Sequence, residues 1–277
     1  MSENYIPHDN AHLDVRELML EISRLDAPHP ADAEWASFKL VSDIFMAVER
    51  RVSAAPAEPF VDTVLVRYMS LEKFLYFLNG WSVFFSRVEG FDDPHDCRIP
   101  SDYDDAVQAY LHSRALPGHI WETFVEQQRQ SWLISCWTEL SSAVDDYLLW
   151  SRYAGGSSGV ALVARYGVLK DALTHGMLAT EDGPFPPATR VTSGYVQYKE
   201  PFVALPFNKR RMFANEREVR FVGYSPGSRA KSVSVSSIID KFGIRLAPDS
   251  RKYHQDSVVR LWEKFGGNPQ NVDIAGG

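Results

Sequence analysis

The segment that most constrains the fold of this chain is 215–224, Asn-Glu-Arg-Glu-Val-Arg-Phe-Val-Gly-Tyr. Its Val and Phe residues alternate with charged ones, the pattern of a strand with two unlike faces. Successive side chains point to opposite sides of a strand. Glu216, Glu218 and Arg220 therefore share one side, and Val219 and Phe221 the other. The apolar side has to pack. On the charged side, two carboxylates two residues apart repel, so they need cationic partners or a ligand. Either that side is a solvated outer face, the usual fate of charged strands, or it is the acidic wall of a cleft.

A second charge lies inside an apolar strand. The segment 62–69, DTVLVRYM, reads as a strand ending in Arg67-Tyr68. A bare buried charge is costly, so Arg67 needs a partner. Its planar fork suits a diphosphate or a carboxylate. Both readings stay open: an ion pair with the 216–218 segment, or an anionic ligand.

Around these two strands the chain divides in two. Residues 1–60 read as a helical N-terminal extension. A helix over 13–25 carries Leu13, Leu18, Ile22 and Leu25, and the segment APHP breaks it. A second helix over 32–53 carries Trp35, Phe38, Val41, Ile44, Phe45 and Val48 on one face. The Pro-rich segment 53–59 reads as a boundary. Residues 61–277 form the core domain. Ser70 caps a helix whose apolar face is Leu71, Phe74, Leu75 and Leu78, and Gly80 is placed to end it. Strands are expected at 81–86, 131–139, 159–165, 190–199, 215–224 and 231–236, with a further strand in the tail. Helices are expected at 102–130, 141–154, 168–175, 206–214 and 249–265, with a long surface loop at 180–189. No regular βαβ series appears. The expected class is α+β, with a mixed, largely antiparallel or split sheet flanked by helices.

Composition narrows the function classes. The 277 residues carry 29 Lys+Arg against 36 Asp+Glu, a net charge of −7, which argues against a broad, sequence-independent grip on nucleic acid. A small local basic pocket remains compatible with it. No apolar run is long enough to span a membrane, and the N-terminus lacks an apolar leader core, so the cytoplasm is the expected compartment. Cys97 and Cys136 are too few for a disulfide framework or a four-thiolate zinc site.

Other constellations carry weaker signals. Asp92, Asp93, His95 and Asp96 can be read as a metal loop, but an Asx-capped turn around Pro94 is the plainer reading. Trp150 and Tyr153, three residues apart on a helix, either stack on a ligand ring or pack in the core. The Gly155-Gly156 loop follows a helix rather than preceding one and matches no phosphate-binding fingerprint. Cys136 lies in an apolar strand and reads as an inert buried thiol.

The order of these pieces resembles the bacterial family known as domain of unknown function 2971, over about residues 62–270. The residues that carry the resemblance are Arg67-Tyr68, Ser86, Phe91-Asp92-Asp93-Pro94, Ser135-Cys136-Trp137, Trp150 with Tyr153, Gly159, Tyr198, Lys209, and Glu216, Glu218 and Arg220. Asp92 stands where the family has Asn, and Trp137-Thr138 where it has Phe-Ser. The layout is also similar to an ADP-ribosyltransferase core of the Arg-Ser-Glu type. That similarity implies that NAD is the substrate. Cleavage of its nicotinamide–ribose bond develops oxocarbenium character, which a carboxylate stabilises. It implies Glu218 as that carboxylate, Glu216 as the group that orients or deprotonates the acceptor, and Ser86 as a brace. It further implies Arg67 on the diphosphate, with Tyr68, Trp150, Tyr153 and Arg220 as further ligand-binding residues.

Two function classes follow. One is an NAD-consuming mono-ADP-ribosyltransferase or NAD glycohydrolase, acting as a bacterial toxin or in phage defence. The other is a non-catalytic module that binds a nucleotide or a protein, with the same residues as a structural ion-pair network. A metal-dependent nuclease built on Asp92, Asp93 and Glu218 is a third. The N-terminal helices are able to pair chains into a homo-oligomer.

Overall fold

A computed structural model describes residues 22, 33–52, 56–93, 96–99, 101–140, 146–175, 178–180, 183–184, 191–198, 205–207, 209–225 and 231–274. The expected helix at 13–25, apart from Ile22, lies outside these residues, as does most of the expected loop at 180–189. Helix α1, Ala33–Val52, precedes strand β1, Val64–Met69. Then come α2 (Leu71–Gly80), β2 (Ser82–Arg87), α3 (Ser101–Ser113), α4 (His119–Gln130) and β3 (Trp132–Glu139). They are followed by α5 (Asp146–Tyr153), β4 (Val160–Arg165), α6 (Tyr166–His175), β5 (Leu178–Thr180), β6 (Gly183–Pro184) and β7 (Thr192–Tyr195). The chain finishes with β8 (Glu218–Tyr224), β9 (Lys231–Ser234), β10 (Gly243–Leu246), α7 (Lys252–Lys264) and β11 (Val272–Ile274).

These strands form one open, mixed sheet in an α+β fold. The path runs β11-β10-β4-β1-β3-β2-β9-β5-β6, with β8 and β7 attached to the other edge of β3. The β10–β11 pair is parallel and the other pairs are antiparallel. Helices cover both faces. On one face α2, α6 and α7 pack Phe74, Phe77, Leu169, Leu173 and Trp262 against Leu65, Leu133, Val219 and Phe221. On the other, α1, α3 and α4 pack Ile44, Phe45, Val107 and Trp121 against Ile134 and Val222. The α1 helix meets α4 through edge-to-face contacts of Phe38 and Phe45 with Phe124.

The register of β3 opens the sheet. Its C-terminal end pairs with β1 through Leu65–Glu139 and Val66–Thr138, and its N-terminal end pairs with β2 through Ser86–Ile134 and Arg87–Leu133. Between these contacts Ser135, Cys136 and Trp137 pair only on the β8 side. Strand β1 continues along β4, and β2 continues along β9. The two strands therefore diverge, and a cavity forms where they part.

Four sequence expectations need correction. The helix expected over 102–130 is two helices, because Pro117 and Gly118 follow a left-handed Ala115 (φ 55°) and turn the chain. Gly80 closes α2 in helical conformation, and Trp81 takes the left-handed position instead (φ 44°). Contacts of the Trp81 ring with Phe77 and Trp262, at 5.3 and 5.6 Å, hold it there. The helix expected at 206–214 is two 3-10 turns, Leu205–Phe207 and Arg211–Glu216. The strand expected from 215 starts at Glu218. Arg217, left-handed at φ 44°, separates it from the preceding turn.

Candidate functional site

The cavity at the divergence has a volume of about 610 Å³ and is lined from β1, α2, β2, β3, α5 and the 209–220 segment. Its floor is a buried charge network. Glu218 is 3% exposed and opens β8. Arg220 Nε donates to Glu218 Oε1 at 2.7 Å, and Lys209 Nζ to Oε2 at 3.0 Å. Lys209 Nζ also reaches Glu216 Oε2 at 2.5 Å. Glu216 Oε1 accepts from the Tyr153 hydroxyl at 2.8 Å and from Arg152 at 3.4 Å. The expected pairing of Glu216 with Glu218 thus holds in space, but not through strand alternation. The left-handed Arg217 turns both carboxylates onto one ammonium.

Arg220 is fully buried and all its donor groups are engaged. It grips Asp96 bidentately at 2.8 and 2.7 Å, donates to Glu218 and to the Pro206 carbonyl, and touches Cys97 Sγ at 3.3 Å. Its guanidinium lies 5.5 Å from the Phe91 ring centroid. This residue was expected to bind a ligand; with its hydrogen-bonding capacity consumed internally, it acts as the tie that joins the 91–99 loop to the sheet. Asp93 is held in the same way by Arg210, at 3.1 and 2.9 Å. Asp93 and Asp96 therefore serve as carboxylates for a half-buried and a buried arginine, with a backbone turn from Asp96 N to Asp93 O at 3.1 Å. The nuclease reading needs Asp92, Asp93 and Glu218 to converge as free ligands. Asp93 and Glu218 are chelated by cations, and Asp92 is exposed.

The network sets the ionisation of its members. Burial alone would raise the Glu218 pKa, but Arg220 and Lys209 outweigh it and hold the carboxyl at about 2. Burial opposes charge on Lys209 as well, yet Glu218 and Glu216 push its pKa above the usual lysine value. Burial raises the Tyr153 and Tyr198 hydroxyls, and Tyr198 accepts from the Glu218 backbone N–H at 2.9 Å. Burial, then the charge of Glu218, drives the Cys136 thiol well up, so it stays protonated at neutral pH.

The lining contributed by β1 differs in kind. Arg67 lines the cavity from β1, half-buried, and among the described residues it forms no ion pair. Its Nη1 donates to Ser135 Oγ at 2.8 Å, and its guanidinium lies 5.9 Å from the Trp137 ring centroid. Trp137 Nε1 completes the bridge to Ser135 Oγ at 3.1 Å. With no carboxylate to balance burial, the Arg67 pKa falls to about 10. It remains cationic at neutral pH.

Ser86 lines the cavity from β2 beside Ile134. Tyr68 also lines it, but its ring is mostly buried and sits edge-on to Trp150 at 5.0 Å. Trp150 does not reach the cavity. It is 2% exposed and packs with Tyr68, Leu149 and Ala154. Of the residues expected to hold a ligand, the structure brings Arg67, Tyr68, Tyr153, Ser86, Glu216 and Glu218 together and leaves Trp150 in the core. Sequence reasoning missed the roles of Asp93, Asp96, Arg152 and Arg210. The signal was present in the equal supply of acids and bases around residues 91–96 and 209–220, but it required pairing across 117 and 124 residues.

No protein-family model, curated protein or solved structure matches this chain. The resemblances drawn above rest on the order of the quoted residues alone. Among the described residues no helix is long and apolar enough to cross a membrane.

Proposed function

We propose that the chain is an NAD-consuming enzyme of the ADP-ribosyltransferase kind, transferring ADP-ribose or hydrolysing NAD. The observation that carries this reading is the cavity itself: its lining includes an arginine that forms no ion pair among the described residues, together with fixed carboxylates. A half-buried cation left unbalanced is costly unless an anion supplies the missing charge. A diphosphate fits the two-pronged guanidinium. Glu218, ionised far below neutral pH, is a standing negative charge rather than a general base. That is the property required to stabilise positive charge developing on the ribose as nicotinamide leaves. Glu216, held by Tyr153 and Lys209 at the same floor, is placed to orient the acceptor. The toxin or phage-defence setting belongs to this reading through the family resemblance only.

The test is nicotinamide release from NAD, followed by chromatography. The wild-type protein releases nicotinamide, and Glu218→Gln lowers kcat by about 10²–10³. The amide keeps the side chain's shape, Lys209 keeps Glu216 and Arg220 keeps Asp96, so circular dichroism shows the fold retained at a lowered melting temperature. Turnover retained in that variant rejects Glu218 as the stabilising group. No release by the wild type rejects the class. One observation favours a second reading, a non-catalytic nucleotide-binding module: both Glu218 oxygens are already engaged by Arg220 and Lys209. That reading predicts that NAD raises the melting temperature without being consumed.

A further inference from the structure

The mouth of the cavity carries two aromatic side chains in water. Tyr76, on α2, is 59% exposed, and Phe84, on β2, is 37% exposed. Single exposed aromatics need no explanation. These two touch: their centroids are 6.3 Å apart and their planes stand at 85°. Both line the cavity that Arg67 enters. Two rings at a right angle form a corner. A planar heterocycle seats there with its face on one ring and its edge toward the other, the two geometries that aromatic pairs favour.

The neighbouring groups fit an anionic ligand that carries such a ring. Lys73 lies three residues before Tyr76 and lines the cavity with it, which places a cation beside the corner. The rings expected from sequence to stack on a ligand are committed elsewhere: Tyr68 sits against Trp150, and the Tyr153 hydroxyl donates to Glu216. Trp150 is enclosed in the core. The exposed corner lies at the open end and the carboxylates at the buried end, so a long ligand has a defined direction.

We propose that Tyr76 and Phe84 form a nucleobase platform, which seats the adenine of a dinucleotide whose diphosphate meets Arg67 and directs its other end to Glu216 and Glu218. The identity of the dinucleotide rests on the NAD reading; the platform for a planar base rests on the ring geometry.

Calorimetric titration of wild type, Tyr76→Ala and Phe84→Ala with NAD, AMP and nicotinamide mononucleotide tests the platform. Each substitution weakens NAD and AMP by about 10-fold or more, the effect of removing a ring that stacks on a base. Nicotinamide mononucleotide, which lacks adenine, binds all three proteins equally. Tyr76 is the more exposed of the two, so a nearly unchanged melting temperature accompanies its loss of binding. Unchanged NAD and AMP affinity in both variants overturns the platform and leaves the NAD reading standing. Equal loss of nicotinamide mononucleotide binding overturns the assignment of the adenine end. A wild-type protein that binds AMP through this corner but not NAD keeps the platform and rejects the NAD reading. A wild-type protein that binds none of the three overturns both.

Discussion

The two walls of the cavity are built on opposite principles. On the β8 side, Glu216, Glu218, Asp93 and Asp96 meet Lys209, Arg210 and Arg220 at hydrogen-bonding distance, and each charge has its partner inside the protein. On the β1 side, Arg67 is held among the described residues by a serine hydroxyl and the face of a tryptophan. The same cavity is lined by the exposed rings of Tyr76 and Phe84. A saturated network of this kind is rigid and intolerant of loss, because removing one member strands its partners in a dry interior. Arg67 has the reverse property: it has no ion pair to lose among the described residues and retains charge for a ligand. The cavity therefore combines a fixed floor with a receptive wall, as site preorganisation requires.

The largest expected effect breaks the saturated wall. Arg220→Met leaves Asp96 and Glu218 buried without their guanidinium, and costs about 3–5 kcal/mol. Thermal unfolding followed by circular dichroism then shows a drop of roughly 10 °C or more. A drop under about 2 °C would mean that the network is not what holds the 91–99 loop to the sheet.

Acid titration probes the same wall with a smaller effect. Glu218 ionises at about 2 in the folded chain, well below the ordinary carboxylate value, so the folded state stabilises its charged form. That stability is fully present above the unfolded-state value near pH ~4.3, and is lost as the pH falls toward 2. The loss is about 3 kcal/mol, read as the fall in urea-unfolding free energy from pH 6 to pH 2. Glu218→Gln flattens that part of the profile. An identical slope in the variant would place the acid sensitivity elsewhere.

The smallest stability effect belongs to the other wall. Arg67→Met breaks no ion pair among the described residues, so it changes stability by less than about 1 kcal/mol, within roughly 3 °C in melting temperature. A loss as large as that of Arg220→Met would make Arg67 a member of the structural network and erase the contrast between the walls.

The sequence made one half of this contrast legible. The alternation around Val219 and Phe221 placed the packed face of β8 correctly, and Arg67 in an apolar strand stood out because few apolar strands carry a charge. The α+β class and most strands followed from short periodic signals. Three features did not. Arg217 in a left-handed turn broke the alternation that was expected to align Glu216 with Glu218, since local pattern carries no sign of a non-glycine residue at positive φ. The partners Asp93 and Asp96 lie more than a hundred residues from their arginines, and pairing over that span is a property of the fold. Trp150 and Tyr153 have helical spacing that serves core and cavity equally, and the structure gives one to each.

The central claim is that the unsaturated wall receives the anion of a dinucleotide. Isothermal titration of NAD into the wild-type chain and into Arg67→Met tests it most directly. The expected result is saturable binding by the wild type and at least about 10-fold weaker binding by the variant, the loss of one charge-assisted contact, with the melting temperature of the free proteins nearly equal. No binding by the wild type, or equal binding by the two, would contradict it.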